Sequence, residues 1–167
     1  MVRITRKFLS LTAACCLIAS ALVYVGSYSG MTMDRIAGWG IGLHIGIFVL
    51  LIPLYAVEYP AMNNRTFWKG FARGMPKWVF GGIQVLALFF AVHFVLFLVQ
   101  SHGAAPEIKD GQYVLNNHGN IVKRLTQSEY DELKGAELRL FATGWIAFYA
   151  PLAAYWWFPR RQRTTNN

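Results

Sequence analysis

Acidic residues are scarce in this chain. Eight Asp and Glu stand against sixteen Lys and Arg in 167 residues, charged side chains of either sign make up 14% of the chain, and 55% of it is apolar. So little charge excludes an ordinary soluble domain, in which charged residues run near ~25%. Chemistry-bearing motifs are missing too. There is no glycine-rich phosphate loop, no nucleophile elbow, no metal-spaced Cys/His cluster and no pair of carboxylates inside an apolar segment. An enzyme of the soluble kind is therefore not expected. The two cysteines, Cys15 and Cys16, are adjacent in an apolar run, where helical neighbours diverge by about 100° and do not readily pair. We read them as packing residues; a lipidated cysteine at position 15 needs a longer apolar lead than Phe8–Ala14 and an aliphatic residue where Thr12 stands. Nor does the net charge of +8 point to nucleic acid, because the cations cluster beside apolar runs instead of lining one face.

What the chain has is apolar length. Trp78–Gln100 carries no Asp, Glu, Lys or Arg and spans about 34 Å as a helix, enough to cross a bilayer. We take it as the stretch around which the chain is organised. Phe8–Tyr28 follows Arg3, Arg6 and Lys7 and runs on past the length of a cleavable signal core, so it reads as a retained first span. Its Ala13, Ala14, Ser20 and Ala21 suit close helix packing. A second span covers about 37–57, with Gly38, Gly42 and Gly46 on a four-residue repeat and Gly40 and His44 projecting roughly opposite it. A fourth covers about 140–158 and ends in Tyr155-Trp156-Trp157-Phe158, an interfacial aromatic belt.

Two connections have character of their own. Residues 62–77 project Arg65, Lys69 and Arg73 to one side and Phe67, Trp68 and Phe71 to the other, the pattern of an amphipathic helix lying on an anionic lipid surface. Residues 101–139 form the only sizeable polar region. There, Gln112–Asn116 and Ile121–Leu125 flank Asn117-His118-Gly119-Asn120, which predicts a β-hairpin. Tyr113, Asn117 and His118 are its candidate partner-contact residues. Thr126 then stands three residues before Glu129, a capping-box spacing, and predicts a helix that runs on into the fourth span.

The expected fold is thus all-α: one membrane domain over residues 1–167, with four transmembrane helices in an antiparallel bundle and a small extracytoplasmic hairpin between the third and fourth. Ten cations and a single acid, Glu58, fall in the segments that share a side with the termini, whereas the other side is close to balanced. By the positive-inside rule both termini and the loop at 62–77 are cytoplasmic, in a bacterial inner membrane.

Two histidines stand out. His44 lies seven residues inside the start of the second span and His93 seven residues inside the end of the third, which brings both to about 10 Å below the outer surface. One reading is structural: each makes an interhelical hydrogen bond, to Gln84, Tyr55 or a serine of the first span. The alternative is a pair of axial ligands to one b-type haem, in an electron-transfer or membrane-anchor subunit. In size the chain is similar to four-helix membrane haem proteins. In size and topology alone it is also similar to immunity proteins against pore-forming toxins. With no second pair of ligands present, no cofactor is expected. The preferred functional reading is a non-enzymatic accessory, immunity-like or scaffold protein whose partners are lipids and another membrane protein or further copies of itself.

Overall fold

The computed structural model describes the backbone of residues 2–62 and 74–158, and side chains within 5–56 and 74–158. Along the chain come α1 (Val2–Gly26), two short 3-10 turns (Ser27–Ser29 and Met33–Ile36), α2 (Ala37–Met62), α3 (Lys77–Ser101), β1 (Ala105–Lys109), β2 (Gln112–Asn117), β3 (Asn120–Arg124) and α4 (Gln127–Trp157). Three of the helical segments, Thr5–Ser29, Met33–Ala56 and Lys77–Ser101, are long and apolar enough to cross a membrane, with mean hydropathies of 2.2, 2.0 and 2.5.

The centre of the bundle is α4. It packs most extensively on α1, then on α3 and α2, and it holds the largest fully buried side chains, Trp145 and Tyr149. Its buried residues Leu138, Ala142, Trp145, Tyr149, Leu152 and Trp156 alternate four and three apart. On α1, Ser10, Ala13 and Ser20, and then Ser27 in the turn that follows, are buried at matching intervals, so a seam of small residues receives a seam of large ones, as in a coiled coil. The Ser10 hydroxyl donates to the Ala153 carbonyl at 3.0 Å. Arg6 donates to the carbonyls of Tyr155 and Phe158 at the far end of α4, while a side chain added at Gly135 would meet the Ser27 carbonyl. Helices α1 and α4 are therefore antiparallel. Phe90 against Gly144 and Phe97 beside Ala136 place α3 antiparallel to α4 as well. Contacts of Gly40 with Trp145 and Gly46 with Tyr149 make α2 parallel to it.

This differs from the expectation that Trp78–Gln100 is the organising stretch. In α3 none of the most hydropathic window is buried against protein. The physical reason is that apolar length and burial against protein are different properties: the most apolar helix leaves its surface largely uncovered by the others, whereas α4, with three Trp and three Tyr, packs its large side chains against them.

Between α3 and α4 the polar region forms a three-stranded antiparallel sheet in the order β1-β2-β3. The hairpin of β2 and β3 stands where the sequence places it, and its loop residues His118 and Gly119 both have positive φ, as a two-residue type I′ turn requires. Strand β1 is an addition. It joins β2 through Asp110-Gly111, again both at positive φ, and it carries Pro106 on an edge, where the missing N–H costs no ladder bond. Ala104, Leu115 and Leu133 bury one face of the sheet against the start of α4. That start is the capping box: the Glu129 amide donates to the Thr126 hydroxyl at 3.2 Å, and the Thr126 amide donates to the Glu129 carboxylate at 2.7 Å.

Candidate functional site

Polar chemistry gathers at the sheet end of the bundle, in the cleft where α1, α3 and α4 meet. His93 is half-buried on α3, and its Nδ1 lies 3.0 Å from the Phe89 carbonyl. A carbonyl can only accept, so Nδ1 carries the proton; in the neutral ring Nε2 is then the acceptor. The Tyr24 hydroxyl, 3.2 Å from Nε2, donates to it, and the Tyr28 hydroxyl, 2.9 Å from that of Tyr24, donates in turn. Edge-on ring contacts of Tyr24 with Phe89 and with His93, each at 5.5 Å, hold the chain of donors in place.

Arg139 completes the group. It lies half-buried on α4, and its guanidinium stands 4.9 Å above the Tyr28 ring. Among the described residues it has neither a carboxylate in ion-pairing range nor a hydrogen-bond acceptor. Tyr28, His93, Leu96, Phe97, Gln100, Ala136 and Arg139 together line a cleft of about 260 Å³.

A second polar cleft of about 460 Å³ lies between the link from α1 to α2 and the first turns of α4, lined among others by Asp34, Arg35, Tyr130, Asp131 and Lys134. Its lysine is already paired, with Glu137 at 3.1 Å and Asp34 at 3.9 Å. Burial works against the Lys134 charge, but the hydrogen bond to Glu137 and the two carboxylates outweigh it and hold the ammonium above its ordinary range. Burial raises Tyr130 beside it. At the rim of the sheet, the Lys123 ion pair and the bonds from Thr126 pull the Glu129 carboxyl down to about 2.

His44 lies elsewhere. Its Nδ1 accepts from Trp145 Nε1 at 3.4 Å, and it lines an aromatic cleft of about 250 Å³ with Phe90, Phe94, Phe141, Trp145 and Phe148. His93 lines the cleft described above, so the two histidines stand in different clefts. Among the described residues no three His, Cys, Asp or Glu side chains come together as a metal site. On the sheet, Tyr113 is half-buried, its ring 4.8 Å from that of Tyr130, while Asn117 and His118 are exposed at the hairpin tip. The lipid-surface residues Arg65, Phe67, Trp68, Lys69, Phe71 and Arg73 lie outside the described residues.

Sequence reasoning passed over Tyr24, Tyr28 and Arg139. The signal for Arg139 was present: it stands at the mouth of an apolar run, one turn above Thr143, yet in the charge balance of the polar region it counts as one cation among several. Comparison with family models, with curated proteins and with solved structures finds no match to this chain.

Proposed function

We propose that this is a four-span protein of a bacterial inner membrane, with both termini cytoplasmic and the sheet outside, which works without catalysis by presenting helix faces in the bilayer and its sheet above it. An accessory, immunity-like or scaffold subunit fits that description. The observation that supports the reading is the state of α3: a 25-residue helix of mean hydropathy 2.5 with no buried residue in its apolar window has a surface that only lipid or other membrane helices cover. The second-span face carrying Gly38 and Gly42 is open in the same way, and it gives a neighbouring helix a close approach.

Membranes carrying the protein, washed with alkaline carbonate, test the first half of this reading: the chain should stay in the pellet, and its release would end the membrane assignment. The visible spectrum of the protein purified in mild detergent tests the second half. No Soret band is expected; a stoichiometric one would replace the contact reading by the electron-transfer one.

A further inference from the structure

We propose that the cleft between α1, α3 and α4 at the sheet end holds the phosphate of a phospholipid headgroup, with Arg139 as its cation. The proposal rests on the membrane reading above. An arginine that is half-buried and stacked on Tyr28 has given up part of its hydration, yet among the described residues no acceptor replaces the water it has lost. Such a group is stable where an oxyanion completes it, because the guanidinium fork matches two oxygens of a phosphate.

The rest of the cleft says which oxyanion. Tyr28 spends its proton on Tyr24 and His93 spends its own on Phe89, so these two hold the site in shape and offer no donor into it. Donors come from Arg139 and the Gln100 amide, both on the lining. Below them the lining is Leu96, Phe97 and Ala136, continuous with the exposed apolar flank of α3 at Val92, Leu96 and Val99. Gln100 is one residue from the end of α3 and Tyr28 lies in the turn that follows α1, so the donors sit at the level where a bilayer has its headgroups. A ligand with an anionic head and an apolar tail uses both parts of the cleft. Inorganic phosphate uses only the first.

The full-length protein in mild detergent, stripped of lipid, tests this by thermal unfolding and by native mass spectrometry. Phosphatidylglycerol and phosphatidylcholine, which share the phosphodiester, should both raise Tm and remain bound, whereas diacylglycerol, which lacks it, should do neither. Arg139→Gln should weaken phospholipid binding about tenfold or more, since it removes a charged hydrogen-bond pair, and Arg139→Lys should restore part of the loss. Gln100→Leu, at an exposed position whose change does not threaten the fold, should weaken it less. Three results overturn the proposal: equal stabilisation by diacylglycerol, phospholipid affinity unchanged in Arg139→Gln, or stabilisation by millimolar inorganic phosphate or by oleate that phospholipid does not exceed. Carbonate extraction of the same expressed material keeps the two readings apart. A chain that stays in the membrane yet shows no preference for the phosphodiester loses this site alone, and a chain that is extracted loses the membrane reading with it.

Discussion

At the scale of single residues, two contacts decide how α4 is held. Tyr149 donates its hydroxyl to the Leu43 carbonyl, and Gly46 lies directly against that hydroxyl, so that a Cβ there would stand closer than van der Waals contact allows. Around Gly42, by contrast, nothing lies within 4 Å of where a Cβ would be. Gly46→Ala should therefore cost about 1–2 kcal/mol of bundle stability, while Gly42→Ala should be neutral or slightly stabilising, as helix propensity alone predicts. Thermal or denaturant unfolding in detergent reads both, and in a Tyr149→Phe background the cost of Gly46→Ala should shrink because the obstructing hydroxyl is gone. Equal effects at the two glycines would contradict the packing. His93 gives a second test. Gln at this position keeps an acceptor for Tyr24 and should leave stability close to wild type, whereas Leu removes it and should cost about 0.5–2 kcal/mol. If Gln is as damaging as Leu, the hydrogen-bonding role is not what the imidazole is for.

At the scale of elements, the N-terminus of α4 carries a pH dependence whose sign follows from Glu129. Its carboxyl is held at about 2 in the fold, below an ordinary 4.5, by Lys123 first and then by Thr126. A depressed carboxyl contributes its stabilisation fully above pH 4.5 and loses it as pH falls from there toward 2. Amide exchange in the first turn of α4 should accelerate over that window, Glu129→Gln should flatten the dependence, and Thr126→Ala should cost about 1 kcal/mol at neutral pH. An unchanged acid profile in Glu129→Gln would show that some other group sets it. The capping box and the hairpin were legible because each is local chemistry: Thr126 reaches Glu129 and His118-Gly119 closes its turn with no help from distant residues. Strand β1 was not read: Asp110-Gly111 is a strong turn signal that went unused, and Pro106 and the polar Glu107 and Lys109 hide the strand that precedes it. The hub role of α4 was hidden for a different reason. Hydropathy measures what lipid tolerates, so it singled out α3, and only side chains that meet across helices reveal what α4 does. The site shares that difficulty. Gln84, Tyr55 and a serine of the first span were the partners expected for the two histidines; His44 instead meets Trp145 and His93 meets Tyr24, a choice made by how the helices lie beside one another, which no spacing within a helix encodes.

At the scale of the whole molecule, the ends of the bundle differ in charge and architecture. Arg6 on α1 donates to the last carbonyls of α4, where the helix dipole favours a cation, and Met75, ahead of α3, packs beside Tyr155 and Trp156. The start of the chain, the approach to α3 and the end of α4 are thus gathered at one end, while the sheet, Arg139 and the paired Lys134 are at the other. In the sequence, ten of the sixteen Lys and Arg belong to residues 1–7, 58–77 and 159–167, with Glu58 the sole acid among them. In the proposed topology such an end stays inside, because an anionic cytoplasmic face and an inward potential favour cations there, each contributing about 1 kcal/mol to the choice. Single cysteines placed at Asn117 and Asn166, in a chain whose Cys15 and Cys16 are changed to Ala, should report the outcome to a membrane-impermeant maleimide: Asn117→Cys labels in intact cells, Asn166→Cys only after the membrane is opened. Labelling of position 166 from outside would invert the protein. The Arg139 cleft would then meet the cytoplasmic leaflet, and the ten cations would face the side they should avoid. Neutralising Arg3, Arg6 and Lys7 together is the stricter form of the test, because a topology set by charge should become mixed once three of the ten are removed, whereas one set by the fold of the sheet should not change.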